Sequence, residues 1–156
     1  MATYDVTGPG NAGATPSRFS AGVRTPYLVE NTIDVSQINS DAGTATNDVI
    51  QVLDIPAQTL IMHAGIEVIT ALSSSVTMDL GITGGDVDTF VDGDANATGY
   101  SVLTATARPV IASADTLDVL MLSAASSAGK IRVFAILCDV SGVEETDRNS
   151  ATQHDG

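Results

Sequence analysis

The residues of this sequence with the types to do chemistry are two histidines, His63 and His154, one cysteine, Cys138, and a run of aspartates between Asp86 and Asn96. His154 sits in a polar C-terminal stretch, a poor place to hold a catalytic base. His63 falls in a β-type stretch, on one face with Ile61, Gly65 and Glu67. Four residues along a strand is roughly 13 Å, so Glu67 is out of hydrogen-bond reach of His63. A lone strand histidine reads as a surface or interface residue before a base or a ligand. A serine nucleophile lacks its scaffold, because no Gly-x-Ser-x-Gly turn occurs. Cys138 lies in the most apolar stretch of the chain, where a thiol packs and does not react.

Asp86, Asp88, Asp92 and Asp94, with Asn96, cluster around Gly84-Gly85 and Gly93. Hard oxygen ligands on a loop suit Ca²⁺, but the central glycine and closing glutamate of an EF-hand loop are missing. Aspartate and glycine are also the ordinary residues of solvated turns, and that reading is the stronger of the two. Paired carboxylates for sugar cleavage would need aromatic platforms. The chain has no tryptophan and 4% aromatics, which also weighs against carbohydrate binding. Asn96-Ala97-Thr98 has the glycosylation pattern, without a signal peptide to give it meaning. No cofactor is implied, and nothing assembles nucleophile, base and oxyanion site, so the expectation is a non-enzyme.

The charge balance narrows the partners. Nineteen acidic residues stand against six basic ones, a formal charge of −13, which repels phosphate backbones and excludes a nucleic-acid binder. The first residues, Met1 to Pro9, have neither the basic region nor the apolar core of a signal peptide. No stretch approaches the roughly 18 apolar residues of a spanning helix, so no membrane is expected. A single cysteine allows no internal disulfide. Synthesis in a reducing cytoplasm without export is the resulting expectation.

The elements that must carry these residues are strands. At 156 residues and 44% hydrophobic content, one domain with a substantial core is expected. Residues 7–24 are rich in Gly, Pro, Ser and Ala, and residues 1–24 read as an extended arm. From residue 25 the composition turns β-branched and apolar. Strands are expected over Tyr27 to Val35, Asp48 to Ile55, Leu60 to Thr70, Val76 to Ile82, Thr116 to Ser123 and Lys130 to Val140. Leu60, Met62, Ala64, Ile66 and Val68 should share a face. A short apolar piece covers Val87 to Val91, and residues 100–111 hold two weak strands. No useful helical period appears. The fold class is therefore all-β: an antiparallel sandwich over residues 25–140, jelly-roll-like, followed by an acidic, polar tail over 141–156.

One strand departs from ordinary patterning. In Lys130–Val140 one face holds Phe134, Ile136, Cys138 and Val140, and the other holds Ile131, Val133, Ala135 and Leu137. A sandwich strand with one wet face should alternate apolar and polar residues. Leu120 and Leu122, opposite Val119 and Met121, repeat the anomaly one strand earlier, and the two strands are expected to pair. Either a loop or arm of the same chain covers the outer face, or another subunit does. Arg18, Phe19, Arg24 and Tyr27 add the residue types that anchor interfaces to the arm.

Asn47-Asp48-Val49-Ile50-Gln51-Val52-Leu53-Asp54-Ile55-Pro56-Ala57-Gln58-Thr59-Leu60, Gly65-Ile66-Glu67-Val68, Met78-Asp79-Leu80-Gly81, Asp88-Thr89-Phe90-Val91-Asp92-Gly93 and Ile131-Arg132-Val133-Phe134-Ala135 together resemble small virion structural proteins of tailed phages, especially those of marine bacteria and cyanobacteria. The similar stretch is 47–140. The resemblance implies a decoration or cement protein on the capsid exterior, a homo-oligomer (a trimer favoured) that clamps joints between subunits of the major capsid protein. It carries over no catalytic residue. A tail, neck or fibre component fits the same features, although long fibres usually show repeats or heptads. A Ca²⁺-dependent adhesive module using the aspartate loop is the alternative of a different class.

Overall fold

The computed structural model describes residues 3–5, 25–38, 43–95, 99–102 and 109–141. Its strands are β1 (Thr3–Asp5), β2 (Tyr27–Asp34), β3 (Val49–Ile55), β4 (Thr59–Thr70), β5 (Thr77–Ile82), β6 (Val91–Ala95), β7 (Gly99–Val102), β8 (Val110–Ile111), β9 (Asp115–Leu122) and β10 (Lys130–Asp139). Turn chemistry sets their limits. Ahead of β3, Asn47 takes a left-handed φ of 65°, and the Ala45 N–H donates to Asp48 Oδ2 at 2.8 Å. After β3 the chain turns at Pro56, with Gln58 at φ 57°, conformations that amide side chains tolerate better than branched ones. A 3-10 turn at Val35–Gln37 ends β2, its cap Asp34 accepting from Ser36 N at 3.1 Å.

Two sheets form the sandwich. The front sheet has the order β2-β10-β4-β7, with β8 also paired to β4; the back sheet has the order β1-β3-β9-β5-β6. Every pair is antiparallel except β1 with β3. Pairing runs inward from the two ends of the chain: β2 with β10, β3 with β9, β4 with β7 and β8, and β5 with β6. The domain is thus one long hairpin, wound so that successive strands from β2 to β5 fall in alternate sheets. The contacts β10·β4 and β9·β5 join adjacent turns of the winding. Part of the expected arm, Thr3–Asp5, is the edge strand of the back sheet; Arg18, Phe19 and Arg24 lie outside the described residues, as does the tail beyond Ser141.

The inner faces meet in a core of aliphatic side chains with Phe90 fully buried among them. Removing such a side chain from water contributes about 1.5–3 kcal/mol each. Asn31 faces the same interior, 2% exposed, and its Nδ2 donates across the sandwich to the Val52 carbonyl at 3.1 Å. That carbonyl belongs to a β-bulge at which β3 slips against β9 between Gln51 and Leu53, so the amide satisfies a backbone group the ladder leaves over.

Two expectations change on this frame, and the short apolar piece at Val87 to Val91 gains its structure. A bulge in β4, where the β10 partner steps from His63 to Ile61, puts Ile61, Ala64, Ile66 and Val68 in the core and leaves Met62 outside. The strand after the Gly84-Gly85 turn begins at Val91, because Val87 to Phe90 form turns and the Phe90 N–H closes on the Leu80 carbonyl at 2.9 Å. Finally, β9 and β10 do not pair: the winding sends them to opposite sheets. Each is flanked by strands on both sides in its own sheet, which buries its inner face but leaves the apolar residues of its outer face to be accounted for.

Candidate assembly surfaces

The outer face of the front sheet is graded from charged to apolar along β10. Lys130 stands in register with Asp34, and Arg132 stands between Thr32 and Glu67. Lys130 Nζ is 3.6 Å from Asp34 Oδ2, and the Arg132 guanidinium reaches Glu67 at 2.6 Å and Glu30 at 3.5 Å. Further on, Phe134 is flanked by Glu30 and Gly65, Ile136 by Leu28 and His63, and Cys138 by Leu60. Phe134, Ile136 and Cys138 are half-buried, while Leu28 is 60% exposed and Met62 37%. The His63 ring leans on Phe134, with centroids 6.1 Å apart at 43°. That contact is packing of one ring on another, and His63 therefore belongs to the apolar end of the face. Glu67 turns away to Arg132, as the strand spacing requires.

This end of the face is a contiguous apolar strip on a surface that an isolated sandwich would expose to water. It contains two of the expected interface residues, Phe134 and Ile136. It also contains Leu28, which the sequence did not single out; the signal was its place one residue after Tyr27, on the alternate face of an edge strand. Tyr27 itself pairs with Leu137 and packs partly buried against the core, so the structure places it inside and not on the strip.

The outer face of the back sheet is built differently. Leu120 and Leu122 are half-buried there, in register with Asp79 and Thr77 of β5. The loop between β5 and β6 folds back over this face at Gly81, where an added Cβ would come within 2.2 Å of the Asp86 carbonyl oxygen and 2.5 Å of Val87 Cα. Between this loop and β1, β3 and β9 runs a groove of about 250 Å³, with Thr3, Val49, Val87 and Leu120 on its walls. Asp118 is also part of the lining, although it is only 8% exposed. Its Oδ2 accepts from the Thr83 hydroxyl, which in turn meets Thr116 Oγ1 at 2.8 Å. Its Oδ1 is buried with no hydrogen-bond partner among the described residues. Burial raises the Asp118 pKa, only partly offset by the threonine hydroxyls.

The aspartates of the turn region lie beside this groove. Asp86 is exposed and Asp88 half-buried; a hydrogen bond with Asp88, and its charge, push the Asp86 pKa up. Asp79, unremarked in the sequence, is 6% exposed, accepts from Gly93 N at 2.7 Å, and is raised chiefly by burial and then by the charges of Asp92 and Asp88. Among the described residues no group of three or more His, Cys, Asp or Glu side chains is placed to hold a metal ion. Asp94 is in β6, and its side chain is outside the described set.

No family model and no curated protein matches the chain. Solved structures do. The chain is similar to a chain in the capsid of Ralstonia phage GP4 at a TM-score of 0.65 and 16% identity, covering 90% of this chain and 100% of that one. A chain in the capsid asymmetric unit of cyanophage Pam1 aligns at 0.59 and 14% identity, covering 80% and 95%. One in the acidic stable capsid structure of Helicobacter pylori bacteriophage KHP30 aligns at 0.58 and 13% identity, covering 76% and 92%. At such identities the shared property is the fold, and it extends over nearly the whole length of each neighbour.

Proposed function

We propose that this chain is a virion structural protein of a tailed phage, a decoration or cement protein bound to the outside of the capsid, where it stabilises the shell of major capsid protein. The observation that carries the reading is the fold likeness to chains from three phage capsids over 92–100% of their length. The strand winding supports a jelly roll, an architecture that recurs in viral capsids. The apolar strip around Phe134 and Ile136 supports self-association, for which a trimer is the working stoichiometry. Its role would be interfacial: each seated copy removes apolar surface from water at a joint between shell subunits, and the shell must break those contacts to expand or leak. The likeness to capsid chains favours the head over tail, neck or fibre.

Heads assembled from the cognate major capsid protein alone provide the test. Purified protein should co-sediment with them at saturating, stoichiometric occupancy and raise their disruption temperature. Light scattering of the free protein should give a trimer mass. Heads that stay bare at saturating protein would overturn the decoration reading, and a monomer that binds heads would remove the trimer from it.

A further inference from the structure

We propose that the groove on the back sheet is a receptor for one arginine or lysine side chain of a neighbouring protein subunit, with the Asp118 carboxylate as its counter-charge. The inference deepens the decoration reading, on which it rests for the identity of the subunit as shell protein. A carboxylate 8% exposed, with one oxygen buried and lacking a partner, is costly to a folded protein unless something answers it. The chain's described bases do not: Lys130 and Arg132 are engaged with Asp34, Glu30 and Glu67 on the other sheet.

The groove has the shape of chemistry that such a side chain fits. Its walls at Val49, Val87 and Leu120 would pack an aliphatic stem, and the acid takes the charged head; long basic side chains divide in that way between apolar and polar surroundings. A volume of about 250 Å³ accommodates one or two side chains and no folded element. The charge of −13 adds a field that attracts cations and steers basic loops toward the surface. The Thr83 hydroxyl donates to Oδ2 and is itself bonded to Thr116, which fixes the carboxylate in the groove wall, where its charge acts on the incoming group. An arginine would add a directional hydrogen bond to the charge, and a lysine the charge with freer geometry.

Butylguanidinium, a guanidinium on a four-carbon stem, is the probe. Titrated into the ¹⁵N-labelled protein, it should shift the amides of Val49, Thr83, Val87, Asp118 and Leu120 saturably. Guanidinium without the stem should bind more weakly, butanol should leave the groove unshifted, and Asp118→Asn should lose the butylguanidinium response. With heads, Asp118→Asn should lower affinity about tenfold or more, the size of a buried anchor contact, at unchanged oligomer mass. Shifts scattered over the acidic surface, or a full response in Asp118→Asn, would overturn the groove as a cation receptor, as would unchanged head binding by that variant. If wild-type protein does not bind heads at all, the decoration reading fails while the titration still decides the groove.

Discussion

The two outer faces of the sandwich are both laid over a central strand with apolar residues on each side, yet they handle acidic side chains in opposite ways. On the front sheet three acids close to β10 have a base beside them: Asp34 with Lys130, Glu30 and Glu67 with Arg132. The apolar strip is thereby left free of charge. On the back sheet Asp118 and Asp79 are buried with no ion pair among the described residues, and a backfolded loop brings Asp86, Asp88 and Asp92 to the same region. The front face is suited to a neutral, apolar contact, and the back face to a cationic one. In the proposed role the chain would touch both its own copies and a foreign shell, and two surfaces of different chemistry serve that role, since a surface complementary to both would not discriminate between them.

Putting an acid on the strip is the strongest way to break the contrast. Phe134→Asp should abolish self-association, with dissociation shifted about 100-fold or more for loss of a central aromatic anchor; light scattering reads the mass, and circular dichroism should show an intact fold because the residue is half-buried and outward. A trimer that survives this change would move the self-contact elsewhere. A smaller effect is expected from the back. Gly81→Ala drives a methyl group into the Asp86 carbonyl and Val87 backbone, which overpacking puts at about 1–3 kcal/mol, or a Tm lower by several degrees. Self-association through the front face should persist.

The smallest effect sharpens the electrostatic side. Asp118 and Asp79 have folded pKa values raised by burial, so each binds its proton more readily folded than unfolded. Folding stability therefore rises as pH falls from neutral toward the ordinary carboxylate range, and is largest once both states are protonated. Asp34, held lower chiefly by the Ser36 hydroxyl, acts in the opposite sense, below that range. Calorimetry should show Tm climbing a few degrees from pH 7 to about pH 5, and a smaller climb in an Asp79→Asn, Asp118→Asn double variant. An equal climb in both would assign the effect to relief of the general negative charge.

Much of this was legible in the sequence where chemistry is local. The run Val49-Ile50-Gln51-Val52-Leu53-Asp54-Ile55, bounded by Asn47-Asp48 and Pro56, is β3, and the two-faced stretch at the C-terminal end is β10. Periodicity fails at bulges, so simple alternation puts Met62 on the wrong face. Strand order depends on pairings such as Tyr27 with Leu137, which no local pattern encodes, and so β9 and β10 were expected to be neighbours. Asp118 was hidden for a third reason. In Leu117-Asp118-Val119 the acid reads as the wet position of an alternating strand, and only the loop folded over Gly81 makes its surroundings dry.

The nested winding also governs how the chain reaches this state. A ribbon whose innermost pair, β5 with β6, is local and whose outermost pair joins β2 to β10 has a high contact order, the class of topology that folds in milliseconds to seconds and not microseconds. Closing the β5–β6 tip first makes each later pairing shorter in effective loop length, while β2 cannot complete the front sheet until β10 has been synthesised. The apolar strip, which is spread over β2, β4 and β10, therefore comes together only when the last strand docks. Premature clustering of unfinished chains is limited by the same connectivity that finishes the fold.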